Sequence, residues 1–306
     1  MIPLPAPSLA RICGEVREGS SYKTTMPVPQ LTILGVGLLG GSVGLAAKAR
    51  NAAEHIRGVG RDERNLARAQ SSGAIDSFST DVAEAVGDAD IVVICTPVDR
   101  IADDVLAVAK AAPSRCLITD VGSTKGNILR ALAGKLSPTG PTFVPAHPLA
   151  GSEKRGSANA CADLFVDRLV ITTPTAETDG EATAAIEHFW RQLGARVLRM
   201  TPDEHDRALA FTSHLPHAVA SALAAVTPTG WLNLTAGGFR DSTRIAAGDP
   251  ELWAAIFEAN APAVLGAVDQ LLLRIQDFRR IVASGDHAGL IQWLAEGKRV
   301  RDALGS

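Results

Sequence analysis

The 306-residue sequence has few aromatic residues and no excess of charge of either sign. Aromatic side chains make up 4% of it, with a single Tyr, which leaves little surface for stacking on nucleic-acid bases or sugars. Lys and Arg total 30 against 33 Asp and Glu, so the net charge is −3 and the basic footprint of proteins that bind nucleic acid or anionic membranes is absent. We therefore expect no nucleic acid and no membrane among its partners.

Cysteine is also scarce. It occurs at Cys13, Cys95, Cys116 and Cys161, a spacing that fits neither a CxxC pair nor a zinc ribbon. We therefore expect no bound metal and a reducing, cytoplasmic environment. The longest uncharged apolar run, Leu31–Ala47, contains five glycines, which a nucleotide-binding turn explains better than a membrane span does.

The length predicts two domains, and the 46% of hydrophobic residues can supply their cores. Residues 1–29 have early prolines and scattered charge without an apolar signal core, and we expect a disordered N-terminal extension. From residue 30 to 200, apolar runs alternate with helical stretches, which predicts a Rossmann-like, doubly wound α/β domain with a mostly parallel sheet. The strand-like runs are Leu31–Leu34, Ile56–Val59, Ile91–Cys95, Leu117–Thr119 and Phe143–Val144. The helical stretches between them are Leu38–Ala53, Glu63–Ser71, Val82–Val86, Ile101–Ala111 and Lys125–Ala133.

Two later runs, Leu169–Thr173 and Ala195–Leu198, flank a helical stretch over Glu181–Leu193, and we expect them to extend the same sheet. After residue 200 strand-like runs disappear, which predicts an all-α second domain over 201–306. Its helical patterns are Pro202–Val226, Leu252–Ser284 and His287–Leu304, interrupted by the Gly- and Thr-rich segment Thr227–Pro250.

The sharpest motif is GxGxxG, formed by Gly35, Gly37 and Gly40 directly after a strand and directly before a helix. Glycines at these positions allow a tight turn, a close approach of backbone to a pyrophosphate, and close packing of helix on strand. The positive helix end then holds the diphosphate. We therefore predict a dinucleotide site that includes the three glycines together with Leu38 and Leu39.

The cofactor type is to be read at the end of the second strand, where an NAD enzyme usually places an acidic residue for the ribose hydroxyls. This sequence has Gly60, Arg61 and Asp62 there. A guanidinium at Arg61 can bind a 2′-phosphate, which favours NADP over NAD. The alternative is that Asp62 only caps the next helix and Arg61 is solvated.

Polar loops follow three further strands, and in an open α/β sheet such loops converge beyond the carboxyl ends of the strands. Thr96 and Pro97 of CTPVDR are expected to contact the cofactor, and His147 stands out because it follows an apolar strand and precedes Pro148. Asp120 and Ser123 can also cap the following helix. The loops DVGSTKG and HPLAGSE offer Asp120, Ser123, Thr124, Lys125, His147, Ser152 and Glu153.

In the helical part, SHLPH places His214 and His217 on one helix face, where one of them can equally be a core residue. Further on, GGFRDSTRIA provides Arg240, Asp241 and Arg244. The arginines can pair with Asp241, but they are also the best available cations for a dianionic substrate.

Taken together, GVGLLGGS, DVGSTKG, HPLAGSE, SHLPH and GGFRDSTRIA resemble, in order and spacing, the prephenate dehydrogenase family, which includes arogenate and cyclohexadienyl dehydrogenases. The resemblance covers the chain from about residue 31 to its end, and we expect neither a regulatory ACT domain nor a chorismate mutase module. It implies NAD(P)-dependent oxidative decarboxylation of prephenate to 4-hydroxyphenylpyruvate in tyrosine biosynthesis. It also implies a homodimer formed through the helical domain, whose stretch Leu252–Leu304 is apolar on more than one face.

The resemblance implies roles for matching residues. His147 corresponds to the catalytic histidine that accepts the proton of the ring hydroxyl, and Ser123 holds that hydroxyl and the nicotinamide in register. A histidine base predicts activity that falls below an ordinary pKa of about 6–7. The substrate-binding set implied is His214, His217, Arg244, Arg240, Glu153, Ser152 and Asp241.

Alternatives remain within and outside this family. Arogenate carries an ammonium that Asp167 could bind, although Asp167 also suits an ordinary turn before a strand. A β-hydroxyacid dehydrogenase or an imine reductase also joins a Rossmann domain to an all-α domain. The β-hydroxyacid type is disfavoured because no lysine occurs between Lys154 and Lys298 to act as its catalytic lysine. A non-catalytic NADP-binding redox sensor would not need His147 and Arg244 together.

Overall fold

The computed structural model describes residues 26–150 and 156–305. The first strand starts at Val28, so the last two residues of the expected N-terminal extension, 28 and 29, already belong to the main sheet. Most of that extension, residues 1–25, lies outside the described part of the chain, as do Ser152 and Glu153.

Six parallel strands form the main sheet, in the order β3-β2-β1-β4-β5-β6. This order reverses between β1 and β4, which opens a crevice at the carboxyl ends of these two strands. Sequence patterns missed β3, whose three residues are only half-buried at the sheet edge. The strands are β1 (Val28–Leu34), β2 (Ala53–Val59), β3 (Ser77–Ser79), β4 (Ile91–Ile94), β5 (Leu117–Asp120) and β6 (Thr142–Val144).

Helices cover both faces of this sheet, so its central strands are buried on both sides. Ile33 and Val93 pack with Phe189 and Trp190 on one face, while Val92, Ile94 and Ile118 pack with Val105 on the other. The first helix ends at Ala49 rather than Ala53, because Ala53 already starts β2. The helices are α1 (Leu38–Ala49), α2 (Glu63–Ser71), α3 (Val82–Val86), α4 (Ile101–Ala111), α5 (Gly126–Leu132) and α6 (Gly180–Gln192).

The expected extension of the main sheet is wrong. Leu169–Thr172 (β8) and Arg196–Arg199 (β9) pair instead with Ala146–Pro148 (β7) in a separate three-stranded sheet. β7 is antiparallel to β8 and β9 is parallel to it, so His147 lies opposite Ile171 within a strand rather than in a loop. Four-residue apolar runs carry no information on which sheet they join, because any strand partner buries them equally well.

Beyond Arg199 the described residues form helices and turns only. A five-residue π-helical segment, Ala210–His214, joins the first two helices into one continuous run, Pro202–Val226. The expected helix over Leu252–Ser284 is bent by 96° at Asn260, so it forms two helices. The helices are α7 (Pro202–Leu209), α8 (Leu215–Val226), α9 (Gly237–Thr243), α10 (Pro250–Ala259), α11 (Ala261–Ser284) and α12 (His287–Asp302).

By length and mean hydropathy alone, Pro202–Val226 and the bent pair α10–α11 could each cross a membrane. Core helices of globular domains pass the same test. The run Pro202–Val226 carries buried polar side chains, namely His205, Asp206, His214 and His217. Polar side chains buried against the rest of the protein favour a helix packed within the helical domain.

Candidate active site

The glycine turn leaves the start of α1 open. Gly35 has a left-handed backbone (φ +94°), and a Cβ there would lie 2.9 Å from the carbonyl of Cys95. A Cβ at Gly40 would overlap the carbonyl oxygen of Gly35. At Gly37 a Cβ would meet nothing within 4 Å, and no side chain caps the first turn of α1. The free amides and the open space would fit the diphosphate that the sequence predicts at this turn.

A cleft of about 510 Å³ adjoins this turn. Thr96 and Pro97, the predicted cofactor contacts, line it, and the Thr96 hydroxyl donates to Asp104 Oδ2 at 2.6 Å. Leu38 and Leu39 lie in the first turn of α1 and do not line it. The other lining residues are Leu34, Gly35, Val36, Gly37, Val59, Gly60, Arg61, Asp62, Asn65, Leu66, Thr80, Val82, Cys95, Arg100 and Asp104.

At the end of β2, Asp62 and Arg61 have different environments. The Asp62 carboxylate caps α2 by accepting from the amide of Arg64 and from the amide and side chain of Asn65. Arg61 is exposed and bonds no other described residue. The helix-capping alternative for Asp62 is therefore correct, and Arg61 remains available to a ligand in the cleft.

Lys125 and Asp120 form a buried ion pair next to the cleft. Lys125 Nζ donates to Asp120 Oδ2 at 2.5 Å and to the carbonyl of Ala146 at 2.7 Å. Asp120 also accepts from the amides of Gly122 and Ala146. Asp120 thus fixes the backbone before His147 and does not cap α5, contrary to the capping alternative. Ser123 is half-exposed and does not cap it either.

The residue that caps α5 comes from the helical domain. The Asp206 carboxylate accepts from the amides of Lys125 at 2.9 Å and Gly126 at 2.8 Å. This contact joins α7 to the loop after β5, so the helical domain meets the α/β domain at the start of α5. Sequence reasoning missed Asp206 and its neighbour His205. The available signal was helical spacing: His205 lies one turn before Leu209, which is buried in the core, so the same helix face had to bury a polar group.

His147 projects from β7 and is 8% exposed. Its Nδ1 lies 2.9 Å from Nε2 of His205, and its Nε2 bonds none of the described residues. Burial lowers the pKa of His147 well below its ordinary value, and the nearby charges of His205, Lys125 and His214 lower it further. The expectation of an ordinary histidine pKa is therefore wrong, because the ring is desolvated and lies near Lys125 and two further histidines.

The two histidines of SHLPH are both buried against Trp253. The ring of His217 stacks on the indole at 3.6 Å, and its Nδ1 has no partner among the residues described. His214 contacts the same indole edge-on, and its Nδ1 lies 3.2 Å from the side-chain nitrogen of Asn260. Burial lowers the pKa of His214 to about 4. His214 closes a π-helical segment, a local irregularity that is frequent at functional sites.

The cationic cluster packs against α8. Arg240 and Asp241 are on α9, and neither Arg240 nor Arg244 forms an ion pair within the described residues. Arg244 begins a short turn, Arg244–Ala247, that packs against α8, which carries His217. The turn that starts at Arg244 therefore packs beside His217 on α8, but no described contact links Arg244 directly to His147.

The other predicted residues have simple outcomes. Ser152 and Glu153 lie outside the described residues. Asp167 lies in a turn with φ +58° before β8, and its amide donates to the carbonyl of Gly194 at 3.0 Å, which favours the turn interpretation. Within residues 26–150 and 156–305, no group of three His, Cys, Asp or Glu side chains is placed to hold a metal ion.

Comparison with known proteins matches both halves of the chain. A family model described as "Prephenate dehydrogenase, nucleotide-binding domain" matches residues 43–199, and one described as "Prephenate dehydrogenase, dimerization domain" matches 201–296. A cyclohexadienyl dehydrogenase from Zymomonas mobilis is 36% identical over 90% of this chain and 95% of its own. A prephenate dehydrogenase from Bacillus subtilis is 33% identical over 90% of this chain and 76% of its own.

Two solved structures share the whole architecture. Prephenate dehydrogenase from A. aeolicus, crystallised with hydroxyphenyl propionate and NAD+, superposes with a TM-score of 0.84 at 28% identity, covering 92% of this chain and all of that one. Arogenate dehydrogenase from Synechocystis superposes with a TM-score of 0.77 at 26% identity, covering 90% of this chain and 99% of that one.

Proposed function

Given that the chain belongs to the prephenate dehydrogenase family and is an NAD(P)-dependent dehydrogenase, we propose that it converts prephenate to 4-hydroxyphenylpyruvate and CO2 in tyrosine biosynthesis. The observation that carries this proposal is His147, a buried neutral imidazole whose Nδ1 is held by His205 while its Nε2 bonds none of the described residues. Such a group can accept a proton from a substrate hydroxyl.

The chemistry requires one base and fixed cations from the protein. A nicotinamide cofactor, when bound, would supply the acceptor for the hydride on C4 of the ring. His147 Nε2 takes the proton of the C4 hydroxyl, and Ser123, half-exposed after the end of β5, orients that hydroxyl. The resulting dienone is a vinylogous β-keto acid, so CO2 leaves without a further acid or base and the ring becomes aromatic. The phenolate oxygen that forms takes back the proton held by His147.

We assign the substrate carboxylates to the helical domain. Arg244 and Arg240 lack ion-pair partners among the described residues, and the Arg244 turn packs beside the helix that carries His217. His214 and His217 position the ring, and Asp241, Ser152 and Glu153 complete the proposed set. A guanidinium binds a carboxylate through two parallel hydrogen bonds, which suits a dianionic substrate.

Arogenate is the second candidate substrate, since relatives of similar likeness are named cyclohexadienyl and arogenate dehydrogenases. Initial rates with prephenate and arogenate, each with NAD+ and NADP+, test the proposal. We expect the highest kcat/KM with prephenate. Reduction of the cofactor by arogenate alone would overturn the substrate choice, and cofactor binding without reduction by either substrate would favour a redox sensor.

We propose NADP as the preferred cofactor, on the evidence that Asp62 is occupied as a helix cap while Arg61 lines the cleft and bonds no other described residue. Arg61→Ala is expected to raise KM for NADP+ at least about tenfold, because it removes a charge-assisted contact to the 2′-phosphate, and to leave KM for NAD+ within about twofold. Arg64→Ala is the control, since Arg64 is exposed on α2 outside the cleft. An equal effect of Arg61→Ala on both cofactors would contradict the assignment.

We also propose a cytoplasmic homodimer formed through the helical domain. Leu265, Leu272 and Ile275 lie on one stripe of α11 and are 61%, 51% and 49% exposed in the single chain. An apolar stripe of this kind on an exposed helix marks a protein interface. Sedimentation of the full chain is expected to give twice the 31.9 kDa of one chain, and a single-chain species at micromolar concentration would contradict the dimer.

A further inference from the structure

Three side chains stand in a row behind Nε2 of His147. Nδ1 of His147 lies 2.9 Å from Nε2 of His205, and Nδ1 of His205 lies 2.8 Å from Oδ1 of Asp206. His205 is fully buried, and the other two residues are less than a tenth exposed. The row therefore connects the proposed base to a buried carboxylate.

Asp206 fixes which nitrogen atoms of His205 and His147 carry protons. Burial opposes ionisation of Asp206, but hydrogen bonds from His205 and from the amides of Lys125 and Gly126 hold its pKa below the ordinary value. An ionised carboxylate only accepts, so His205 carries its proton on Nδ1 and presents a lone pair at Nε2. His147 must then carry its proton on Nδ1, which leaves the lone pair on Nε2, the nitrogen without a partner among the described residues.

We propose that His205 and Asp206 are positioning residues that fix this tautomer of His147 and share the proton it takes up. The inference rests on the proposed function for the identity of the proton donor. As the substrate hydroxyl gives its proton to His147 Nε2, the proton on His147 Nδ1 moves to His205 Nε2. The positive charge then lies on the imidazole beside Asp206, no electrons are gained or lost in the row, and the hydride leaves separately to the cofactor.

The surroundings explain why the charge would move away from His147. His147 faces Lys125 and His214 as well as His205, and all three oppose a positive charge on its ring. His205 faces the same Lys125 but has the carboxylates of Asp206 and Asp120 nearby to offset it. A positive charge is therefore better stabilised one residue further from the substrate, next to the carboxylate that is already held ionised by the start of α5.

Two substitutions at His205 separate this role from simple packing. His205→Gln keeps an acceptor towards His147 and a donor towards Asp206 but cannot take up a proton, and His205→Leu removes both. We expect kcat to fall about tenfold in the Gln variant and about a hundredfold in the Leu variant, with KM within about twofold. We also expect the acid limb of kcat/KM to move to lower pH in both, because the proton can no longer lie beside Asp206.

The control is His55→Gln, since His55 also holds two side-chain hydrogen bonds, to Gln30 and Ser77, near the edge of the main sheet. It is expected to leave kcat and the acid limb unchanged. A His205→Gln variant with wild-type kcat and an unmoved acid limb would overturn the proposal. Equal losses in the Gln and Leu variants without any shift of the limb would also overturn it, since they indicate packing alone.

Nitrogen-15 NMR of histidine in the full chain tests the tautomer without relying on turnover. We expect the His147 proton on Nδ1 in the wild type and a mixture of tautomers in His205→Leu. If wild-type protein turns over neither substrate but shows this spectrum, the proposed function fails while the positioning row stands. A proton found on Nε2 of His147 in the wild type would contradict the proposal that His205 and Asp206 fix the tautomer of His147.

Discussion

Replacing Lys125 by Met is expected to lower the free energy of unfolding by about 3–5 kcal/mol, because it leaves a buried carboxylate without its cation. Lys125 and Asp120 are both fully buried, and Nζ bonds both the carboxylate and the carbonyl of Ala146. Met is close in length to the lysine and keeps most of the packing, so the loss measures the charge and its hydrogen bonds. Thermal unfolding followed by circular dichroism gives the measurement.

Lys298→Met is the matched control, because Lys298 forms an exposed pair with Asp302 one helical turn away. Exposed pairs of this kind contribute about 0.5 kcal/mol or less, so its Tm should stay close to that of the wild type. Lys125→Met should also lose activity at temperatures where it is folded, since Ala146 directly precedes His147. A Tm within about 2 °C of wild type would show that the pair does not hold this part of the fold.

The parts of the structure that were predictable from sequence are those set by local chemistry. The glycines at positions 35 and 40 were predictable, because a tight strand–turn–helix connection leaves no room for a side chain at either position. The N-cap at Asp62 is equally local. Parallel order in the main sheet follows from continuous apolar runs separated by helices.

What could not be predicted depends on contacts between distant residues. His147 and His205 are 58 positions apart, and no motif spacing relates them. The bend at Asn260 accompanies a side chain that donates to the carbonyl of Asp206 at 2.8 Å, a tertiary contact that an apolar helical pattern does not reveal. The pKa of His147 also differs from its ordinary value because burial and three neighbours act together.

His147→Asn is expected to reduce kcat about 10²- to 10⁴-fold, the usual contribution of a positioned base. Asn can still bond His205 from the position of Nδ1, so the neighbouring structure and cofactor binding should persist and KM should change by no more than a few fold. Steady-state kinetics with saturating cofactor, supported by fluorescence titration of the cofactor, give these quantities. His55→Asn near the sheet edge serves as the control for loss of a hydrogen-bonded histidine.

The pH profile separates the base from a residue that only binds. Neutral His147 is the active form, so protonation removes activity as the pH falls through its pKa. Because burial lowers that pKa, the wild type should keep its rate down to pH 6.5 and lose it only below that value. In His147→Asn the residual rate should lack this limb. If His147→Asn retained full turnover and an unchanged acid limb, His147 would not be the base. The buried His214, whose pKa is lowered to about 4, would then be the next residue to substitute.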